Sequence, residues 1–304
     1  MFGADKISYE EITALEKNSP ELIVYAIPVM AFFTFLEIFY SWLQKRRNYK
    51  TRETIGSTLV GLGNVGINLF LKVGFLYGAL WIYNLVPWRM ELNWWTLIPC
   101  YLIFDFCSYW SHRVSHIQRF FWATHVVHHS AENYNLTVSF RLSWIQNLKI
   151  FFFLPVAFLG FHPVVIFIVS QASVLFQFWV HTEYIKKLHP AIEYIFATPS
   201  NHRVHHGSQD KYLDKNFAAT FIFWDRIFGT YQKEEEEPEY GLTKKIGNRL
   251  DPVFLNFHEY YDMAADVKQA KGLRKKLFYI FGSPTAIHRE KIAAEKEKEA
   301  VSER

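Results

Sequence analysis

The sequence predicts an all-α protein: a multi-pass transmembrane helical bundle of about four to five spans, or three spans plus a hairpin, with a helical histidine cap on its cytoplasmic side. Three observations predict it. Half of the 304 residues are hydrophobic and 18% are aromatic, yet charged residues still make up 20%. The apolar residues concentrate before residue 180 and the charges after residue 240, so a membrane half and a wetter half share one chain. The 13 histidines, finally, are bunched at helical spacing. A net charge of +4 is too small to argue for nucleic acid as a partner.

Taken in order, residues 22–43 form an apolar stretch with a single charge, Glu37. A helix of ~20 apolar residues crosses the ~30 Å hydrocarbon core, so this is the first span. Lys45, Arg46, Arg47, Lys50 and Arg52 follow it, and such a basic cluster marks the cytoplasmic side. The span therefore runs from outside to inside. Residues 1–21 carry acidic and basic side chains and no apolar core of the kind a cleavable leader has, so the first hydrophobic stretch is expected to stay in the mature protein. Residues 54–88 are apolar, interrupted by Lys72 and punctuated by Gly56, Gly61, Gly63, Gly66, Gly74 and Gly78. They read as one crossing with an irregular start, the small residues suiting close helix packing. Residues 93–109 form the third span, running inward with Trp94 and Trp95 at its outer interface. Cys100 and Cys107 lie within it and read as small core residues rather than a disulfide or metal ligands.

After a polar stretch, residues 144–180 are apolar again. Gly160-Phe161-His162-Pro163 breaks them into a helical hairpin, either two full crossings or a re-entrant pair. Nothing beyond is long enough to span. The acidic run Glu234 to Glu237 and the Lys/Glu-rich end read as solvated. The aromatic residues of 249–263 are expected to pack on the rest of the chain or to lie on the bilayer.

Five histidines fall in residues 112–129 and three in residues 202–206. The motifs are HRVSH (His112, His116), HVVHH (His125, His128, His129) and HRVHH (His202, His205, His206). Side chains three or four apart on a helix share a face. His112 and His116 are therefore expected to converge on one metal, and His125, His128 and His129 to form a tripod that the second HxxHH segment repeats. His181, where the apolar hairpin re-emerges, is a ninth candidate. Imidazole suits zinc, copper, iron and nickel. A structural zinc takes four ligands and a catalytic zinc usually three, so eight or nine histidines are too many for one ion and suit two. Two redox metals in an all-imidazole shell can bind and activate O2. The topology read from charge alone brings all of these histidines to one membrane face. His162, His189, His258 and His288 read as non-ligands.

The pattern HxxxH, HxxHH, HxxHH among apolar spans resembles the fatty acid hydroxylase/sterol desaturase superfamily, over about residues 104–247. The phrases DFCSYWSHRVSH, HVVHHSAENYNLTVSFR, FQFWVHTE, TPSNHRVHHG and DKNFAATFIFWDRIFGTY, with YGLT following, are most similar to its alkylglycerol monooxygenase branch and bacterial relatives. The resemblance implies an integral membrane enzyme that uses two iron ions and O2 to hydroxylate or desaturate a lipid. An external electron donor would reduce it, tetrahydrobiopterin in that branch, whose substrate carbon is the ether-linked one of an alkylglycerol. A sterol or fatty-acyl hydroxylase or desaturase is the alternative within the superfamily. Carried over position by position, the metal ligands are His112, His116, His125, His128, His129, His202, His205 and His206, with His181 joining them. Ile185 stands where some members have a further histidine. The implied organisation is an N-terminal segment, 1–21, a membrane-embedded hydroxylase-type domain, 22–247, and a charged tail, 248–304, in a bacterial inner membrane or the endoplasmic reticulum.

Asp105, Tyr109, His112 and His116 lie on one helical stripe, and a buried ionisable residue needs a partner. Asp105 is expected to accept a hydrogen bond from a ligand imidazole and so fix its tautomer, with Glu183 a second such carboxylate. Glu37 and Lys72 are expected to pair, or Lys72 to snorkel to the interface. Arg141 and Arg203 read as surface residues, and the Asn135-Leu136-Thr137 sequon is discounted as cytoplasmic. Phe151 to Phe153 read as membrane contacts or as the lining of a lipid tunnel. Two rivals differ in kind. A zinc hydrolase would want three ligands and a carboxylate base. A non-enzymatic metal- or lipid-binding protein of transporter type would hold its ligands near the bilayer midplane.

Overall fold

The computed structural model describes residues 3–20, 22–46, 48–247 and 250–302. Among these the chain is helical, with an isolated β-bridge between Gly207 and Tyr240. Arg47 of the basic cluster and the first residue of the 249–263 stretch lie outside the described residues. Helix α1 (Tyr9–Asn18) starts at Ser8, whose hydroxyl accepts the Glu11 N–H. It buries Ile12 against Leu80 and Val164. Helices α2 (Leu22–Leu43) and α3 (Thr51–Leu85) are, among the described residues, long and apolar enough to cross a membrane. At 1.5 Å per residue α2 is about 33 Å long and α3 about 52 Å. The irregular start expected for the second stretch is a continuous helix that outruns one crossing. Both keep large apolar side chains outward, Phe70 at 88% exposure.

Two of the α3 glycines make close contacts. Gly61 meets Phe140, and a Cβ on Gly63 would overlap the Trp144 indole, whereas Gly66, Gly74 and Gly78 face open space. A 3₁₀ turn, Trp94–Thr96, leads into α4 (Leu97–Ile117), which runs on past residue 109 and carries His112 and His116 in its last turns. Ser108 and Ser115 donate back to the carbonyls of Phe104 and Ser111, so their hydroxyls are satisfied within the helix.

The short helix α5 (Arg119–Trp122) leads to α6 (Val126–His129), which with its capping residue His125 carries the first HxxHH motif. The hairpin's first arm is a 3₁₀ segment, Gln146–Phe153, passing into α7 (Leu154–Phe158), and its second arm is α8 (Pro163–Phe176). Its turn is at Gly160, φ +81°, where a side chain would strike the Trp88 carbonyl. Helix α8 is about 21 Å long and packs on α4, with Cys100 and Cys107 as free thiols in that core, as expected.

Beyond the hairpin come α9 (Pro190–Ile195), α10 (Pro199–His206) with the second HxxHH motif, and α11 (Phe223–Ile227). The chain closes with α12 (Pro252–Gln269), α13 (Leu273–Phe281) and α14 (Pro284–Ser302). Of the two placements expected for the aromatic stretch, α12 takes packing on the chain. Its Leu255 meets Val60 and Val127, and Asn256 Oδ1 accepts the Trp144 N–H at 2.8 Å.

Three expectations about charge are corrected. Lys72 pairs with Glu16 rather than with Glu37, because α1 folds back beside α3. Arg141 and Arg203 are buried, not on the surface, each beside a carboxylate, Glu53 and Glu234 respectively. Asn135 is buried with its amide on the Asn48 carbonyl, so the sequon is out of reach.

Candidate metal centre

The eight histidines singled out by spacing, and His181 singled out by its place at the end of the hairpin, meet in the folded chain as two adjoining groups. One comprises His112, His116, His125, His129 and His205, the other His128, His181, His202 and His206, with ligand-capable nitrogens within 4.8 Å of one another in each. In the first, Nε2 atoms face each other at 2.8 Å (His112–His125), 3.2 Å (His125–His129) and 3.1 Å (His129–His205). In the second they do so at 3.2 Å (His128–His181), 2.9 Å (His181–His202) and 3.2 Å (His202–His206). The expected tripods are not what forms. Each HxxHH motif is split: His125 and His129 serve the first group and His128 the second, while His202 and His206 serve the second and His205 the first. Consecutive residues on a helix point about 100° apart, so the adjacent histidines of each motif face different groups while i, i+4 partners stay together. Two of the remaining histidines, His162 and His189, instead accept backbone N–H groups at the starts of α8 and α9, and His258 Nδ1 bonds back to its own helix.

Backbone carbonyls set the tautomers. His112 Nδ1 lies 2.8 Å from the Phe217 carbonyl, His205 Nδ1 2.9 Å from that of Lys215, and His181 Nδ1 2.7 Å from that of Gln177. A carbonyl only accepts, so each Nδ1 carries the proton and each Nε2 presents a bare lone pair inward. His116 Nδ1 lies 3.4 Å from Asp214 Oδ1. One short loop, residues 214–217, thus bears on three rings of the first group. Asp214 and Asn216 take left-handed φ of +57° and +54° there, which Asp and Asn tolerate. Asn216 Nδ2 donates to the Asn201 and Gln232 carbonyls, and the Asp225 carboxylate accepts the N–H groups of Phe217 and Ala218.

The expected role of Asp105 is corrected. Its carboxylate is fully buried and accepts from Thr220 N–H, Phe221 N–H and Trp224 Nε1–H, not from an imidazole. The stripe it shares with His112 and His116 is real, but the donors that reach it come from the 217–224 segment, whose Phe217 carbonyl in turn orients His112. Glu183 likewise bears on Tyr240, which stacks on Tyr134 at 4.8 Å, and Tyr134 is the ring beside His206 at 5.2 Å.

Sequence reasoning missed Asp214 and Asp225, and it missed what Glu37 and Glu53 hold. Glu37 accepts from Leu136 N–H, Tyr49 Oη–H and Thr182 Oγ1–H, and Glu53 from Glu132 N–H and the Asn133 amide. The isolated charge of Glu37 in an apolar helix was the available signal.

Burial, and after it the neighbouring imidazoles, hold His125, His128, His129, His202 and His206 well below the ordinary imidazole range. Burial alone pushes His181 down to about 4. The rings are therefore neutral at neutral pH, the form that ligates metals. The Nε2 lone pairs of His112, His181 and His205 point at further imidazole nitrogens rather than at solvent, and the buried His116 Nε2 and His128 Nδ1 lack any hydrogen-bond partner. Metal–imidazole bonds of ~2.0–2.1 Å place neighbouring ligand nitrogens about 3 Å apart at right angles, the spacing seen in both groups. The donor set fits two borderline metal ions, each held by four or five nitrogens.

Residues 97–230 match the fatty acid hydroxylase family. The chain is 34% identical over 293 residues to alkylglycerol monooxygenase of Homo sapiens, covering 93% of this chain and 64% of that protein. It is 35% identical over 276 residues to alkylglycerol monooxygenase of Xenopus tropicalis, covering 88% and 60%. With ornithine lipid hydroxylase OlsE of Rhizobium tropici the identity is 26% over 150 residues, covering 48% and 45%. The chain spans less than two thirds of the length of each of these relatives. No solved structure matches it.

Proposed function

We propose, from the match of residues 97–230 to the fatty acid hydroxylase family, that this chain is a membrane-embedded monooxygenase that hydroxylates a lipid C–H bond with O2 at a pair of iron ions. The observation that carries the reading is the pair of imidazole groups with lone pairs turned inward. His112, His116, His125, His129 and His205 would hold one ion, and His128, His181, His202 and His206 the other. Bound iron supplies the reaction with O2 that no amino-acid side chain provides.

The rest is the work of the chain. The 214–217 loop keeps Nε2 as the donor on His112 and His205. Trp122 and Phe217 flank His116 at 5.1 and 5.2 Å, and Tyr134 flanks His206, excluding water from both groups. Glu37, Glu53 and Asp105 fasten the polar segments that carry the rings to the apolar helices.

The membrane reading is supported by α2 and α3 and by their outward apolar side chains, and the basic residues after α2 favour the cytoplasmic side for the histidines. The shortness of α8 favours a re-entrant hairpin over two full crossings. A lipid would approach sideways past Leu148, Ile150 and Phe151, which the hairpin leaves exposed. The names of the Homo sapiens and Xenopus tropicalis relatives favour an alkylglycerol as substrate, and the resemblance of the histidine motifs implies attack at its ether-linked carbon with tetrahydrobiopterin as the external reductant.

Anaerobic purification followed by iron and zinc analysis, with O2-dependent oxidation of alkylglycerol in membranes, tests the proposal. Two irons per chain and an oxidation lost in His128→Ala are expected. One zinc per chain, or lipid turnover indifferent to O2, would refute it.

A further inference from the structure

We infer that α13 is a docking surface for the anionic face of a lipid bilayer, lying in the plane of the interface beside the metal centre. This rests on the reading of α2 and α3 as membrane spans.

Leu273, Leu277 and Phe281 recur every four residues, which places them along one side of the helix. They are 72%, 45% and 50% exposed. Arg274 and Lys276 fall on either flank of that stripe, both exposed, and Lys271 precedes it. The opposite face is occupied: Lys275 pairs with Glu290 of α14, and Tyr279 Oη donates to the same carboxylate. The helix is thus anchored through its inner side and presents apolar residues outward between two flanking cations. An interfacial helix has that arrangement, its apolar side chains entering the acyl boundary while its cations meet headgroups.

Its position fits a bilayer better than another partner. The carbonyl of Gly282, just after α13, accepts the Arg119 N–H at 3.0 Å, and the rings of Phe281 and Phe120 lie 6.3 Å apart. Arg119 opens α5 immediately after α4 ends, so α13 is level with the end of a helix packed on the hairpin. Ile117 at that end is exposed, and Phe121 meets Phe151 and Phe152 of the hairpin at 5.6 and 5.7 Å. The stripe of α13 therefore continues the apolar belt of the hairpin out to headgroup level, where its cations complement anionic lipid. Trp122, the last residue of α5, is the ring against His116 and His129, so the docked helix abuts the wall of the metal centre.

The test places an environment-sensitive fluorophore on Leu277→Cys in the full chain, reconstituted in nanodiscs of phosphatidylcholine with or without phosphatidylserine. Cys100 and Cys107 are buried and escape labelling. A headgroup-level spin-labelled lipid is the quencher. A second label on Phe35→Cys, read with an acyl-chain quencher, reports on α2 alone. Leu277 is expected to be quenched in phosphatidylserine discs, and its association with the bilayer to weaken by roughly 25-fold once Arg274→Gln and Lys276→Gln are combined, since each cation near an anionic surface strengthens association by about five-fold. Quenching at Phe35 with none at Leu277 overturns the inference and leaves the membrane reading standing. Loss of both signals overturns both. A Leu277 label that lipid does not quench, and that is shielded only when two chains share a disc, assigns the face to a second copy and also overturns it.

Discussion

A neutral imidazole has one N–H and one lone pair, and its surroundings decide which nitrogen has which. Here the deciding groups are the carbonyls of Lys215, Phe217 and Gln177, which no side-chain substitution removes, and the carboxylate of Asp214 beside His116. Partners of this kind typically contribute 10- to 100-fold to metal affinity. Asp214→Ala is therefore expected to lose one ion roughly ten-fold more readily to a chelator, with helical content unchanged and with partial recovery in Asp214→Asn. Equal retention in wild type and variant would remove Asp214 from the centre. Nothing local marks Asp214 in the sequence, since it lies in an irregular loop outside every motif. Asp105 was marked, by its burial in an apolar helix, but a helical stripe tells only which residues share a face. It does not tell which neighbour packs against that face, and the neighbours are two backbone N–H groups and an indole rather than an imidazole.

At the scale of elements, each of α2, α3 and α4 contributes one buried carboxylate that grips a polar segment lying across it. Glu37 holds residues 136 and 182, Glu53 holds 132 and 133, and Asp105 holds 220 and 221. These contacts require the segments to lie close, which is why α3 has Gly63 under the Trp144 indole, itself donating to the Val60 carbonyl at 2.9 Å. Gly63→Ala is expected to destabilise the protein by about 1–3 kcal/mol through overpacking. Gly66→Ala, facing open space on the same helix, should be neutral or stabilising by up to ~1 kcal/mol. Thermal unfolding of both variants in one detergent checks the contrast, and equal shifts would show that the close approach is not what requires Gly63. The glycine-rich character of α3 was legible in the sequence. Which glycines meet a side chain was not, because that depends on where residues 140 and 144 come to rest.

For the molecule as a whole, gathering nine imidazoles in one interior makes stability depend on pH. Burial holds His125, His128, His129, His202 and His206 well below the ordinary 6.5, and pushes His181 down to about 4. Between those two values the unfolded chain binds more protons than the folded one, so folding is unpenalised above pH 6.5 and loses ground as pH falls towards 4. Bound metal should be released over the same window, because protonated imidazole cannot ligate. Metal per chain after gel filtration at stepped pH, alongside the unfolding temperature, checks this, and a flat profile down to pH 4 would contradict it. The all-helical architecture, the two long apolar helices and the membership of the histidine set were determined by the sequence alone, since each follows from a run of composition or a spacing of a few residues. Only the tertiary structure decided how nine rings divide into five and four and which carboxylate serves which segment. His205 meets His129 across 76 residues and Asp105 meets Thr220 across 115. At such separations the partner is chosen by how helices pack against one another, and no local pattern carries that information.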